Sequence, residues 1–505
     1  MQHRSRLRHA AAAVLASPAA LARAALALTV FASPPARADI TPASLFQDHA
    51  VLQRDLPIPV WGRAAAGEKI RVSLGNAAAA TTTTTATAVA AATATTTANS
   101  DGRWLVHLPP LPASATPRNL VIEGENAADR VVIRDVLVGE VWLCAGQSNM
   151  GMQVKSSLNF ERERAAAANP LIRSFRVGVQ LPETPAENAL GKWLVALPET
   201  VGDFSATAYF FAREIQPKIG VPVGIISTAH GNTAIAAWRS AGALAREPSV
   251  GAWWKKQLAA KTPPRPHRRP SACFNGMLHP LAPCAVRGFL WYQGEGDATV
   301  ADVFAPIYAR QLSGLVAECR QLFNRPGAPF FWVNLAGFGK AGNRDWTGVR
   351  HQQNLALATP GTAQAVAYDI GDETDIHPKN KQETGRRLAL LALRRVYDFD
   401  IEDTGPVPVQ AVAAGQHTLR LRFNHAGDGL RCDNPTGEGL FELASAEGEF
   451  FPATSLQIGR DTVVVRSAAV PAPARVRYAW QNLPKGALAN SEGLPAAPFL
   501  IKTAD

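Results

Sequence analysis

Cysteine is scarce: Cys144, Cys273, Cys284, Cys319 and Cys432 are the only five in 505 residues. So small and odd a set excludes a disulfide-built scaffold. One bridge is open to the chain, with Cys273 and Cys284 the pair nearest in sequence, and buried free thiols are the other reading. The chain has no His-x-x-x-His or Cys-x-x-Cys pair, so nothing in the sequence calls for a metal site or another cofactor. Charged residues make up only 18%. Beyond residue 38, no run approaches the ~18 uninterrupted apolar residues of a membrane-spanning helix.

What the chain has in quantity is apolar material, 47% of its residues, enough for more than one core. Its length suggests two or three domains. Residues 1–38 read as a leader. Arg4, Arg6 and Arg8 precede an Ala/Leu-rich stretch reaching Phe31, and Ala36-Arg37-Ala38 has small residues at both recognition positions of a signal-peptidase site. The expectation is a soluble protein, secreted or periplasmic after cleavage following Ala38. Five of the 51 basic residues and none of the 41 acidic ones lie in this leader, so the remainder carries a mild net +5. That gives no warrant for nucleic-acid binding, which needs clustered basic surface. The one basic cluster, Lys261 to Pro270, reads either as a solvated proline-rich loop or as a rim attracting an acidic sugar. No feature indicates an oligomeric state.

From Asp39 to about Asp135 the pattern is all-β, short alternating runs such as Ile58–Trp61 and Lys69–Val72 separated by Gly, Pro and Asn. The Ala/Thr stretch 77–98 is low-complexity and reads as an expanded hairpin loop, with Arg103–Leu108 as the return strand after an Asp101-Gly102 turn. From Val136 strands alternate with helices. Buried-type runs at 136–145, 221–227, 286–292, 329–335 and 364–368 flank helical patterns at 205–216, with Ser205 as N-cap, and 381–397. This α/β grammar implies a mainly parallel sheet covered on both faces, with ligands beyond the carboxyl ends of its strands. After about Ile401, past a Gly405-Pro406 linker signal, β alternation returns at 419–423 and 462–466. The expected organisation is a leader (1–38), an N-terminal β-domain (39–135), a catalytic α/β domain (136–400) and a C-terminal β-domain (401–505).

Three constellations fall at strand ends. The strand Glu140–Ala145 runs into Gly146-Gln147-Ser148-Asn149-Met150, which puts a hydroxyl at the sheet's carboxyl edge beside helix N–H groups able to stabilise an oxyanion. Met150 stands where a lipase elbow has its second glycine, and a Ser here is also a common helix cap. In Trp291-Tyr292-Gln293-Gly294-Glu295-Gly296-Asp297, the Gln293 amide can be aimed at a carbonyl oxygen with Gly294 leaving room for substrate, or the segment is a turn with structural contacts. In Asp372-Glu373-Thr374-Asp375-Ile376-His377-Pro378, His377 can take a serine proton near neutral pH if a carboxylate holds its tautomer. Asp375, Asp372, Glu373, or no acid at all beyond a Ser–His dyad, remain open.

Together these motifs resemble the sialate O-acetylesterase family of SGNH-type hydrolases. So do Leu45-Phe46-Gln47-Asp48, Val51–Arg54, Phe274–Met277 with His279-Pro280-Leu281, Asn380-Lys381 and Arg477–Trp480, so the resemblance spans nearly the whole chain after the leader. It implies a three-layer α/β/α hydrolase domain flanked by β-domains, and a metal-free acyl-enzyme mechanism with Ser148 as nucleophile, His377 as base and Asp375 as the favoured acid. It also implies an oxyanion hole from Ser148, Gly231 and Gln293, and substrate binding by Gln147, Asn149, Glu295 and Asp297. Three positions depart from the pattern: Asn232 replaces a second glycine, Asp297 replaces an Asn, and Thr374 stands where the acid would precede the histidine by three. Asn tolerates the left-handed conformation such a turn needs. The implied activity is hydrolysis of O-acetyl esters on carbohydrates, sialate 9-O-acetyl esters in particular. Acetylxylan or xyloglucan esterase is the alternative, and a non-catalytic carbohydrate-binding protein the rival of another class.

Overall fold

The structure is a computed structural model and describes residues 39–76, 92–125, 129–262, 264–434, 437 and 439–503. The leader and residues 77–91 of the Ala/Thr stretch lie outside the described residues.

The organising element is the 17-residue strand Arg130–Gly146. Its first part pairs antiparallel with Ser114–Glu123; its second lies between parallel neighbours and is buried throughout from Val136. Asp135, at φ +54°, bends the chain where the partners change, and His49 and Arg173 hold its carboxylate at 2.6 and 2.9 Å. The strand thus crosses position 135/136 without a linker. In order, the central sheet runs Gly191–Ala196, Asn169–Val177, Val223–Ala229, Arg130–Gly146, Gly288–Tyr292, Phe330–Val333, Thr362–Ala365. All neighbours are parallel except the antiparallel edge strand Gly191–Ala196.

Alternation along the central strand makes the layers. Trp142 and Cys144 enter one core with Phe210 and Phe211 of helix Ala206–Ile219 and Leu388 of helix Lys381–Arg395. Val141, Leu143 and Ala145 enter the opposite core with Leu312 and Leu315 of Tyr308–Leu322 and Val349 of Trp346–Leu355. Two apolar faces need two covering layers, so the α/β/α arrangement follows from this pattern. Both helices flanking the site are capped as polar side chains before helices should do: Ser205 Oγ accepts from the Ala208 N–H and Asn380 Oδ1 from the Glu383 N–H.

The N-terminal β-strands are bolted on through Glu140, wholly buried in the central strand, whose carboxylate is held by Arg54 and Arg287 while Gln53 accepts the Val141 N–H at 2.8 Å. Residues after 401 form two four-stranded antiparallel sheets around a core of their own. Buried Arg350 joins them to the α/β region by donating to the carbonyls of Leu335, Ala336, Gln481 and Asn482.

Several expectations need correction. Ala92–Thr97, assigned to a loop, is a strand and the true hairpin partner of Lys69–Asn76; Arg103–Leu108 pairs instead with Ile58–Arg63. Asn169–Val177 and Gly191–Ala196 are sheet strands the sequence pattern did not reveal. The last sheet strand is Thr362–Ala365, and Tyr368 lies beyond it in a helical turn. All five cysteines are free, so Cys273 and Cys284 are not bridged. No helix among the described residues is long and apolar enough to cross a membrane.

Candidate active site

The chain leaves the central strand toward one side of the sheet and later returns to build the other, which makes the carboxyl end of Arg130–Gly146 a topological switch point. Gly146 is in register with Ala229 on one neighbour and Tyr292 on the other, so the three strands end level. Gly146 has φ +149°, and a Cβ there would overlap the Tyr292 carbonyl; only glycine fits. The following Ser148 is partly exposed at the start of a helix only four residues long, Ser148–Gly151. Such a helix offers local N–H groups rather than a macrodipole.

Ser148, Gly231, His377 and Asp375 line a single cleft of about 470 Å³, with His230, Arg176 and Lys379 on its walls. Gly231 comes so close that a Cβ on it would lie 3.3 Å from Ser148 Cβ. Among the described residues, no main-chain carbonyl takes the N–H of Ser148 or of Gly231. Asn232 adopts the left-handed conformation its residue type tolerates, φ +58°, and Arg268 donates to its Oδ1 at 2.8 Å. His267 packs on His230, ring centroids 4.9 Å apart. The basic loop thus packs behind the cleft, against His230 and Asn232, without lining it.

On the opposite side, Asp372 Oδ1 accepts from the N–H groups of Thr374 and Asp375 at 2.7 and 2.9 Å, folding 372–375 into a turn. The turn brings Asp375 Oδ1 within 2.8 Å of the His377 main-chain N and 3.4 Å of its Nδ1. Asp372 is thereby occupied in shaping the loop, and the Glu373 carboxylate lies against Gly339. Of the three acids, Asp375 is the one beside the imidazole. Burial pulls the His377 pKa below its ordinary value, against the Asp375 carboxylate, which raises it, so the imidazole is neutral near pH 7.

The sialic acid-specific acetylesterase family of carbohydrate esterases matches residues 138–394, which contain all of these groups. A carbohydrate acetylesterase from Xanthomonas citri is 35% identical with a TM-score of 0.80, over 92% of this chain and 100% of its own. The chain belongs to the family. Sialate O-acetylesterases of Rattus norvegicus and Homo sapiens are each 26% identical to it, covering 91% and 92% of this chain and 94% and 92% of theirs. This carbohydrate esterase therefore hydrolyses O-acetyl esters on sugars.

Within the esterase, the other motif residues lie beneath the cleft rather than on it. Gln293 is wholly buried, and its Nε2 faces Thr233 O at 2.8 Å, Asp297 Oδ2 at 2.5 Å and Gln147 Oε1 at 3.1 Å, while its Oε1 accepts from Tyr308. Both amide hydrogens are thus taken up by buried acceptors, and in this structure neither points to the cleft expected to hold the oxyanion. Beside Gly294 the space is filled by Val349 and Leu335, not left for substrate. Gln147, Asn149, Glu295 and Asp297, expected to bind substrate, are all buried, and none lines the cleft. Gln147 Oε1 accepts from the Gly296 N–H at 3.1 Å, Asn149 bonds Glu295 Oε1 at 2.5 Å, and Asp297 accepts the Ile235 N–H at 3.0 Å. Burial pushes Asp297 up to about 7 and raises Glu295 as well. Sequence reasoning overlooked Arg176 and Lys379 on the cleft, and named Lys381, which lies below it, only as part of the family resemblance. Lys379 flanks the histidine motif and could have been flagged; Arg176 sits on a strand with no readable pattern.

Proposed function

We propose that Ser148 attacks the acetyl carbonyl of an acetylated sugar while His377 takes its proton. With Nδ1 turned to Asp375, Nε2 is the nitrogen left for the serine, and the carboxylate steadies the imidazolium that forms. The oxyanion is received by the N–H groups of Ser148 and Gly231. Collapse of the tetrahedral intermediate returns the proton to the sugar hydroxyl, leaving acetyl-Ser148; water activated by His377 then releases acetate. The observation that carries this reading is the convergence of nucleophile, base, acid and a closely packed glycine on one cleft at the switch point. The 3.4 Å between Asp375 and His377 is loose, and such contacts tighten in the substrate complex.

For the sugar we favour a sialate over neutral xylan or xyloglucan. Arg176 and Lys379 on the cleft and Arg268, which bonds Asn232 beside Gly231, are cations suited to a sugar carboxylate, whereas a neutral chain makes no use of them. Export as a secreted or periplasmic protein, and the three-part division at 135/136 and 400/401, belong to the same reading. The test is acetate release from O-acetylated sialic acids, acetylxylan and acetylated xyloglucan by wild type and Ser148→Ala. Loss of activity on the order of 10⁴ or more with an unchanged melting temperature is expected for the variant. Retention of a tenth of the wild-type rate sinks the assignment, and preference for xylan over sialate sinks the substrate choice.

A further inference from the structure

We infer that Lys381 and Asn149 form a buried clamp that sets the spacing between nucleophile and base, with Lys381 as a positioning residue. The inference rests on the assignment of Ser148 and His377 above.

Two residues, Ile376 and Pro378, bracket His377. The Ile376 carbonyl accepts from Asn149 Nδ2 at 3.0 Å, and the Pro378 carbonyl accepts from Lys381 Nζ at 2.8 Å. These two donors are joined: Lys381 Nζ donates to Asn149 Oδ1 at 2.7 Å. Asn149 directly follows the nucleophile on its short helix, and its own carbonyl is anchored by Thr207 at 3.2 Å. The histidine loop is therefore pinned on both sides of the base to the residue next to the nucleophile.

The clamp is built, not incidental. Asn149 and Lys381 are 1% and 0% exposed. Buried polar groups this deep cost several kcal/mol unless paired, and each has its partners: the second Asn149 N–H faces Glu295 Oε1 at 2.5 Å, and the Lys381 ammonium lies 5.3 Å from the centre of the Tyr292 ring. Tyr292 ends the neighbouring strand and Glu295 opens the short helix that follows it, so residues after two neighbouring strands and the histidine loop meet at one lysine. Neither residue lines the cleft, so neither touches substrate. His377 itself sits on the loop leading into helix Lys381–Arg395; besides the clamp, the loop is held by Asp375 and the 372–375 turn, by the Leu158 N–H on the Lys379 carbonyl at 3.0 Å, and by Ile376 packed on the core.

The test is kinetic. Lys381→Met keeps the stem and removes the three-way donor. A displacement near 1 Å between nucleophile and base costs about 10²-fold, so kcat should fall by about that factor while KM stays within about twofold, for enzyme shown folded by its melting curve. Because Asn149 and Lys381 act as a unit, Asn149→Ala combined with Lys381→Met should be no more than about threefold worse than the worse single variant. If Lys381→Met does not fold, Asn149→Ser removes the Ile376 contact and must show the same loss in kcat at unchanged KM. A plateau kcat within threefold of wild type, a loss expressed in KM, or losses that multiply in the double variant would overturn the clamp. Ser148→Ala run in parallel separates the two failures. An active Ser148→Ala refutes the underlying assignment; an inactive one beside a fully active Lys381→Met refutes the clamp alone.

Discussion

Replacing Asp375 by Asn tests the acid quantitatively. Asn keeps an oxygen that can accept the His377 main-chain N–H, so the loop should hold and the melting temperature should move little. What is lost is the charge facing Nδ1 at 3.4 Å. The side chains of His377 and Asp375 are 39% and 45% exposed, so solvent screens the pair. With an effective dielectric of about 40, between surface sites and bulk water, the attraction at this distance is about 2.4 kcal/mol, or about 60-fold in rate. Loss of the preferred tautomer adds to this, so we expect a fall in kcat of about 10²-fold, below the ~10⁴ of a fully buried triad acid. The pH profile supplies a second, independent sign. The carboxylate raises the His377 pKa, so its removal lets burial pull that pKa lower still, and the acid limb of kcat/KM must move to lower pH. Acetate release measured from pH 4.5 to 8.5 reads both effects. A loss under threefold, or an acid limb moving upward, refutes the reasoning; Asp372→Asn and Glu373→Gln serve as comparisons that should stay within a few-fold.

Gly231→Ala introduces a Cβ 3.3 Å from Ser148 Cβ, and should lower kcat by about 10–10²-fold with little change in melting temperature, because oxyanion geometry is sensitive to tenths of an ångström. Gln293→Ala strips Thr233, Asp297 and Tyr308 of a shared buried partner and should cost about 1–3 kcal/mol in urea unfolding; a 10²–10³-fold loss of kcat at unchanged stability would restore it to the oxyanion hole. Arg350→Met leaves four carbonyls without their donor and should cost about 3–5 kcal/mol, read as a lower melting temperature.

The legible parts of the chain were those where one residue type answers one physical demand. Apolar runs that alternate between two cores announced a sheet covered on both faces, and Ser205 before an apolar period announced a capped helix. Ser148 and His377 could be singled out as a hydroxyl and an imidazole following strands, and Gly231 through the family resemblance; the structure brings all three to one cleft. The strand Asn169–Val177 was hidden because it carries Asn169, Arg173, Ser174 and Arg176, and three of these find partners only in the tertiary structure: Arg173 reaches Asp135, Asn169 reaches Gln216 and Arg176 reaches the Asp203 carbonyl. The Ala92–Thr97 strand was hidden by composition: alternating Ala and Thr has no apolar contrast to read. The acid could not be chosen in one dimension, since Asp375 reaches the imidazole only through the turn that Asp372 folds.

The motif residues that lie beneath the cleft share a position. Gln147, Asn149, Gln293, Glu295 and Asp297 stand beside Ser148 or at the end of the next strand, and polar side chains at a sheet's carboxyl edge are naturally taken to face the ligand. That edge has depth, however. A residue one step past the strand end turns either up into the cleft or down between the three loops, and at Gly146, in register with both Ala229 and Tyr292, the loops are too close for all of them to turn up. Those turned down pair with one another: two carboxyls, two glutamines, an asparagine and a lysine are in mutual contact. Such a network tolerates few changes, since any one leaves a buried partner unpaired. Under the proposed function, specificity for the sugar is expected from residues that do turn up, Arg176, His230 and Lys379, and from Arg268, which bonds Asn232 beside Gly231. These four, not the motifs, are where substrate preference should be exchanged between members of the family.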